Sequence, residues 1–310
     1  MPAALRVVSL LPSATELLCA AGGGGLLVGR SHECDWPPSI RDLPVLTGQR
    51  TLGIGEGGDS ASIDAQVRAA LARGESLYTL DEARLRGLRP DVILTQDLCE
   101  VCSIDLRRVE RVAATMTPSP AVVSLDPRSI EEVFDDLLKV GEATGLAAES
   151  EVAMVRLREE YWSAVDFVNP YVDGPEVAFL EWIDPLFVAG HWTPQLITAA
   201  GGRHALNAAG AKSRSIAPAE LVESQPDRIV VSPCGLDVGA TLRELERVRG
   251  TRWWNALPAV VEGRVAVVDG NQMFSRPGPR LVDAFRWLVG WINDRPEVVP
   301  ADFPVRMLTG

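Results

Sequence analysis

Hydrophobic and polar positions alternate along the first half of the chain in the manner of buried strands followed by amphipathic helices. Four short runs are rich in Val, Leu and Ile and are predicted to be strands: residues 6–11, 26–31, 92–96 and 121–125. Helices are expected to begin at serines near these runs: Ser13, Ser62, Ser103 and Ser129. Such alternation predicts a mostly parallel sheet with helices on both faces.

The longest amphipathic pattern lies in the middle of the chain, at residues 146–168. Its apolar residues recur at mostly three- and four-residue steps between charged ones: Val152, Val155, Leu157, Tyr161, Trp162 and Val165. We predict one helix that ends at Pro170, because proline cannot continue a helix. About twenty helical residues span roughly 30 Å, which is long enough to connect two lobes.

The second half repeats the pattern of the first. Residues 176–183, 228–232 and 264–268 are predicted strands, and residues 281–293 a closing helix. A short echo supports two similar halves, since residues 80–94 read L-x4-L-x4-PDVIL and residues 216–230 read I-x4-L-x4-PDRIV. We predict an α/β fold of two Rossmann-like lobes with parallel sheets, 1–145 and 170–310. One backbone helix at 146–169 joins them, and a ligand cleft lies between the lobes.

Charge and composition narrow the class of partner. The net charge of −12 argues against a nucleic-acid partner, which would need a clustered basic face. The apolar stretch at 5–21 suggests a signal peptide, but Pro12 interrupts it, and Ser13 with Glu16 forms an S-x-x-E capping box typical of a helix start. The sequence contains no uninterrupted run of about eighteen apolar residues, so a membrane-spanning helix is not expected. We therefore expect a cytoplasmic protein without membrane insertion.

Cysteines supply the sharpest chemical signal. Four of the five follow predicted strands, at the strand ends where open parallel sheets bind ligands: Cys34, Cys99, Cys102 and Cys234. Thiolates suit zinc or an iron–sulfur cluster, and the C-x-x-C pair could instead be redox-active. Alternatively, the cysteines pack against neighbouring side chains and the C-x-x-C spacing arises by chance. The sequence does not distinguish a metal site, a redox pair and a structural role.

Histidines and tryptophans are the other candidates for the cleft. His32 follows the strand at 26–31, and His191 precedes a helix for which Thr193 is the expected N-cap. Either imidazole could contact a ligand or a metal, and a local hydrogen bond explains each equally well.

Three tryptophans are predicted near the same cleft, namely Trp36, Trp182 and Trp192. Large flat rings suit a large flat ligand, although packing explains any one of them. No nucleotide-binding glycine pattern and no hydrolase motif occurs. A run of four carboxylates is predicted to be a solvated helix face: Glu131, Glu132, Asp135 and Asp136.

Several motifs resemble those of the vitamin B12 and iron-chelate substrate-binding proteins. They are RVVSLLPSATE at 6–16, VGRSHECDWP at 28–37, PDVIL at 90–94, residues 126–145, and residues 254–268 followed by RPGPR at 276–280. The resemblance implies two α/β lobes joined by a rigid helix, with cobalamin or a ferric chelate between them. It also places Arg276 among the ligand contacts, and it implies delivery to an ABC permease if the protein is exported.

Two functional hypotheses follow. The first is a cytoplasmic protein that holds a corrinoid or related metal chelate, with Trp36, Trp182 and Trp192 as walls and His32 or His191 as a polar or axial contact. The alternative is a metalloprotein, or an enzyme acting on a small molecule, whose four cysteines bind an iron–sulfur cluster or zinc. An exported receptor is a third reading.

Overall fold

The computed structural model describes residues 4–50, 59–97 and 104–308. Its described residues group into two compact units. The first unit lies within Met1–Gly53, Ala65–Pro127 and Glu131–Arg158, and the second within Ile54–Asp64, Arg128–Ile130 and Glu159–Gly310. Residues 59–64 and 128–130 therefore group with the second unit, although they precede the central helix in the sequence.

Strands and helices alternate through the first part of the chain, as the hydrophobic pattern predicts. In chain order they are β1 (Val7–Ser9), α1 (Pro12–Ala20), β2 (Leu27–Arg30), β3 (Thr47–Gln49), α2 (Ser60–Ala72), β4 (Tyr78–Leu80), α3 (Glu82–Leu88), β5 (Val92–Thr95), α4 (Leu106–Ala114), β6 (Ala121–Ser124), α5 (Ile130–Thr144) and α6 (Ala147–Val165).

The main sheet of the first unit has the order β2-β1-β5-β6 in the described part of the chain, and its neighbouring strands run parallel. Its central strands β1 and β5 are buried at every position, as is typical of parallel sheets that are covered on both faces. Val8 lies beside Ile93, and both are fully buried. β3 and β4 form a separate antiparallel pair. All carboxyl ends of the main sheet therefore lie at one edge.

Three helix starts differ from the sequence prediction. α1 begins at Pro12 with Leu11 as its N-cap and no side-chain capping bond, so the predicted capping box at Ser13 and Glu16 is wrong. Proline suits the first helical position, which moves the start one residue earlier. α2 begins before Ser62, because Asp59 accepts the Ser62 N–H at 2.7 Å. Ser103 lies outside the described residues, and α4 is capped by Asp105.

The central helix α6 forms where the amphipathic pattern places it, and the division between the two units falls at Arg158 within it. It ends at Val165, five residues before Pro170, and tight turns follow, with the Phe167 N–H bonded to the Ala164 carbonyl at 3.1 Å. The helix is therefore shorter at its C-terminus than predicted.

The second part of the chain is built in the same alternating way. Its elements are β7 (Val177–Trp182), β8 (Phe187–Val188), α7 (Thr193–Ala199), β9 (Arg214–Ser215), α8 (Pro218–Glu223), β10 (Arg228–Val231), α9 (Val238–Arg249), α10 (Arg252–Asn255), α11 (Pro258–Val261), β11 (Val265–Val268), α12 (Leu281–Ile292) and β12 (Val305–Leu308).

The sheet of the second unit has the order β12-β11-β10-β7-β8-β9 among the described residues. The three central strands are parallel and fully apolar in β10 and β11 apart from Arg228, while β12, β8 and β9 add antiparallel edges. The α/β class with parallel sheets is confirmed. The antiparallel edges were not predicted.

The sequence echo has a structural basis in each unit. Asp91 accepts the Arg6 N–H at 2.8 Å, and its own N–H donates to the Arg6 carbonyl at 2.7 Å. Asp227 makes the same two bonds with Glu176, at 2.7 and 2.9 Å. Each Pro-Asp pair therefore sets the register of a central parallel strand against the first strand of its unit.

Among the described residues, no helix is both long and apolar enough to cross a bilayer.

Candidate functional site

The loop after β2 carries three predicted site residues, and Arg30 holds it in place. Its guanidinium donates to the backbone carbonyls of Ser31, Cys34 and Arg41 at 3.1, 2.9 and 2.6 Å. One side chain thus satisfies three carbonyls of an irregular segment, which orders the loop at the carboxyl edge of the sheet. This role of Arg30 could not be predicted from the sequence, because a side-chain bond to the backbone leaves no sequence motif.

Trp36 lies on this loop with 43% of its surface exposed. Single exposed apolar side chains are ordinary, but this ring is large and is carried by an ordered segment. The indole is therefore exposed on an ordered loop, which is what a side chain that stacks against a ligand requires. Its contact with a ligand stays a prediction.

His32 is half buried and points toward Thr47. The Thr47 hydroxyl accepts the His32 backbone N–H at 3.1 Å, and the imidazole Nδ1 lies 2.7 Å from the same oxygen. The Tyr78 ring centroid is 5.8 Å away. Burial, and secondarily the charge of Arg30, lower the pKa of His32, so the ring is neutral at pH 7. A neutral imidazole can accept a hydrogen bond or ligate a metal.

The cysteines fall into different environments. Cys34 is fully buried, and the Thr15 hydroxyl donates to its Sγ at 3.1 Å, which is a packing role. Cys234 is exposed and lies in the second unit. Cys99 and Cys102 lie outside the described residues. Within the described ranges, no group of three or more His, Cys, Asp or Glu side chains is placed to hold a metal ion.

Trp182 ends β7, and backbone atoms of the second unit fix its ring. The indole Nε1 donates to the carbonyls of Ser60 at 3.2 Å and Asp184 at 3.1 Å. The ring is half buried. These bonds to two backbone carbonyls fix the orientation of the Trp182 indole at the end of the strand.

His191 occupies a strained turn just before α7. Its φ of 54° lies in the left-handed region, and its N–H donates to the Ala211 carbonyl at 2.6 Å. A Cβ on the preceding Gly190 would lie 2.3 Å from the Ser213 nitrogen, so only glycine fits this close approach. Burial first, then Lys212 and Arg128, lower the pKa of His191 and keep the ring neutral.

Trp192 is buried, and its indole Nε1 donates to the Phe274 carbonyl at 2.9 Å. The structure gives this ring a packing role beside the loop after β11. Trp192, not Thr193, is the N-cap residue of α7, so the predicted cap is wrong by one position. Pro194 fits the first turn in either register, and the sequence alone did not separate the two.

The loop after β11 contains a buried polar network around Arg276, which is 5% exposed. Asp269 accepts the Asn271 N–H and the Gln272 side-chain amide, both at 2.9 Å. The Arg276 guanidinium lies 3.4 Å from the Asn271 side-chain oxygen. Burial raises the pKa of Asp269 above its ordinary value. Arg276 is therefore positioned by Asn271, a residue that belongs to no motif in the sequence.

The network continues to the end of the RPGPR segment. Arg280 donates to the Gln272 side-chain oxygen at 2.7 Å. The spacing of the two arginines around Pro-Gly-Pro was visible in the sequence, but their acceptors were not. This arrangement presents ordered donors beyond β11, where ligands bind in sheets of this kind.

One carboxylate of the predicted solvated face is buried. Asp136 is almost inaccessible, and its Oδ2 has no hydrogen-bond partner among the described residues. Burial raises the pKa of Asp136 from 3.8 to about 7, against the opposing effect of Lys139. The prediction holds for Glu131, Glu132 and Asp135, which are exposed. It fails for Asp136, because this residue lies three and four positions from the buried Val133 and Val140, on the inner side of α5.

Comparison with protein families identifies the chain's relatives. A family model described as periplasmic binding protein matches residues 7–271. The chain belongs to this family. The resemblance found in the sequence motifs is confirmed, and the chain is a substrate-binding protein.

Relatives and solved structures of the periplasmic binding protein family cover nearly the whole chain. The vitamin B12-binding protein of Photorhabdus laumondii is 24% identical over 296 residues, or 94% of this chain and 89% of that protein. A periplasmic haem-binding protein from Pseudomonas aeruginosa matches with a TM-score of 0.72 at 20% identity, covering 98% of both chains. The periplasmic vitamin B12 binding protein of Vibrio cholerae matches with a TM-score of 0.67 at 17% identity, over 95% and 98%.

Proposed function

We propose that this protein binds a corrinoid, or a related metal chelate such as haem, as its substrate. The observation that carries the proposal is Trp36, an exposed ring on a loop that Arg30 pins at the carboxyl edge of four parallel strands. A flat macrocycle offers a face for such a ring. Relatives named for vitamin B12 and haem binding, at 24% and 20% identity, support this ligand class.

Two neutral histidines extend the proposal. The pKa values of His32 and His191 are both lowered, so either ring can offer a nitrogen lone pair to a metal chelate near pH 7. Arg276 and Arg280 supply ordered donors for polar substituents of the ligand. The protein's own residues thus provide stacking and polar contacts, while the substrate brings its own metal.

Equilibrium titration with cyanocobalamin and, separately, hemin tests this proposal. We expect saturable quenching of tryptophan fluorescence by one of them, and a Trp36→Ala variant that binds about tenfold or more weakly. Trp162→Ala is the matched control, because Trp162 is a similarly exposed tryptophan on α6. Equal affinity of Trp36→Ala and wild type, or no binding of either ligand at millimolar concentration, contradicts the proposal.

The metalloprotein alternative has a separate test. It requires thiolate ligands from Cys34, Cys99, Cys102 and Cys234, and the buried Cys34 already accepts a hydrogen bond from Thr15. Because no described observation favours it, we do not carry it as a second function. Metal analysis of anaerobically purified protein decides the matter: stoichiometric iron or zinc that falls in Cys234→Ser revives the alternative.

Delivery to an ABC permease is the transport role that we propose for an exported form of the protein. The cytoplasmic location expected from the sequence stays a prediction. Fractionation of cells that express the native gene distinguishes the two locations, since protein found outside the cytoplasm supports delivery and protein retained inside favours a different use of the bound ligand.

A further inference from the structure

Helix α6 carries two apolar faces, although its apolar residues form a single set in the sequence pattern. Ala153, Leu157 and Tyr161 are buried and pack inside the protein. Val152 and Val155, three residues apart, are 72% and 49% exposed. A pair of valines displayed on an outer helix face is apolar surface that a partner could cover.

Charges flank this exposed face in a self-complementary order. Glu149 and Arg156 lie seven residues apart on one flank, and Glu151 and Arg158 lie seven residues apart on the other. All four side chains are exposed. Within the described part of the chain, none of the four takes part in a salt bridge. Each flank therefore presents one negative and one positive charge at equivalent helical positions.

We propose that α6 is a self-association surface on which a second copy of this chain packs antiparallel. The two-fold axis passes between Ala153 and Met154, so that Val152 packs against the partner's Val155. The same symmetry places Glu149 beside the partner's Arg156 and Glu151 beside the partner's Arg158. Two-fold symmetry repeats each contact, which surrounds four valines with four ion pairs.

The charge pattern selects the antiparallel orientation. In antiparallel helix pairs, equivalent flanking positions face one another, and here they carry opposite charges. In a parallel pair, Glu151 would meet the partner's Arg156, but Glu149 and Arg158 would have no opposite charge nearby. The antiparallel register therefore satisfies twice as many charges.

Helix geometry also accommodates the ends of the contact. Glu159 lies across from the partner's Ala148, a small residue that leaves room for the longer side chain. The patch is nonetheless small compared with the roughly 800 Å² per partner that stable complexes bury. We therefore expect a weak dimer, with a dissociation constant of about 10 to 100 µM or above, that weakens as salt screens its ion pairs.

Sedimentation velocity over a concentration series at low and high salt tests the surface in the full chain. Wild type is expected to form dimers at the highest concentrations. Glu149→Arg reverses one charge in each ion pair of one flank and should weaken the dimer about tenfold. Glu110→Arg on α4 is the matched control, since it makes the same charge change at an exposed position elsewhere and should leave association unchanged.

Charge exchange makes the test decisive. A variant with Glu149→Arg, Glu151→Arg, Arg156→Glu and Arg158→Glu keeps the net charge and restores every proposed pair, so its dimer affinity should return to within about threefold of wild type. A monomer at all concentrations, failure of this exchange to restore association, or equal weakening by Glu110→Arg overturns the proposal. A dimer that Glu151→Arg breaks and Glu149→Arg leaves intact overturns the antiparallel register.

Discussion

The two units order the loops beyond their sheets by different means. In the first unit, one side chain, Arg30, bonds three carbonyls of the loop after β2 and leaves Trp36 exposed. In the second unit, the loops after β10 and β11 touch through their backbones, with the Gly235 N–H bonded to the Gly270 carbonyl at 3.2 Å. The loop after β2 therefore depends on one side chain that a mutation can remove, whereas the loops after β10 and β11 depend on close contact between their backbones.

The two units also treat buried carboxylates differently. Burial raises the pKa of both Asp136 and Asp269. Asp269 is surrounded by the donors of Asn271 and Gln272, whereas the Asp136 Oδ2 has no described partner. Asp269 thus stabilises a loop of the second unit through its hydrogen bonds. Burial of Asp136 in the first unit costs desolvation free energy that hydrogen bonds to Oδ2 do not offset.

The largest expected effect comes from breaking the backbone contact of the second unit. A Cβ at position 270 would lie 2.0 Å from the Pro233 carbonyl oxygen, and that atom belongs to the backbone. We expect Gly270→Ala to lower the free energy of unfolding by about 4 kcal/mol or more through overpacking. Urea denaturation measures it. Gly250→Ala meets no atom within 4 Å and should change stability by less than about 1 kcal/mol.

The next effect contrasts the two aspartates across pH. The folded state holds a proton on Asp136 up to about pH 7, while the unfolded chain releases it near the ordinary value of 3.8, so wild-type stability falls as pH rises between these values. Asp136→Asn cannot ionise, and we expect it to be more stable than wild type by about 2 to 3 kcal/mol at pH 8, with the difference vanishing near pH 4.

Asp269→Asn sharpens the contrast, because it removes one acceptor of a satisfied network and should destabilise the protein at pH 8. Thermal denaturation at pH 4, 6 and 8 compares the two variants. If both variants, or neither, were more stable than wild type at pH 8, Asp136 and Asp269 would contribute to stability in the same way.

A smaller effect is expected at the loop of the first unit. Arg30→Met keeps the aliphatic packing and removes the three bonds to carbonyls, which should cost about 1 to 2 kcal/mol. Hydrogen exchange should accelerate at residues 31–41 and stay unchanged in the second unit. Unaltered exchange in that segment would mean that the loop does not depend on Arg30.

The smallest effect on stability is expected for Trp36→Ala. The ring is largely exposed, so its removal should change the free energy of unfolding by less than about 1 kcal/mol, even where ligand affinity falls. A loss of several kcal/mol by urea denaturation would instead assign Trp36 to the packing of its unit.

Local patterns predicted the elements that bury long apolar runs. Val92–Thr95 and Leu281–Ile292 lie within one or two residues of their predicted bounds. Short edge strands such as Phe187–Val188 and Arg214–Ser215 were missed, because two residues carry no periodicity. Their pairing is set by neighbouring strands rather than by their own sequence.

The candidate site was predicted less completely than the fold. Residue type singled out Trp36 and Trp192 alike, and it did not distinguish the exposed Trp36 from the buried Trp192. The acceptors of Arg30 and the partners of Arg276 depend on which loops meet in three dimensions. The burial of Asp136 likewise depends on how α5 is rotated about its axis. The pattern of acidic residues in the sequence does not reveal this rotation.

The paired bonds of Asp91 and Asp227 have a consequence for the order of folding. Closing the contact between Arg6 and Asp91 joins residues 85 positions apart, while that between Glu176 and Asp227 spans 51. Loop-closure entropy favours the shorter connection by roughly twofold in rate, all else being equal. The central strands β7 and β10 of the second unit, which is synthesised last, are therefore expected to pair faster than β1 and β5 of the first unit.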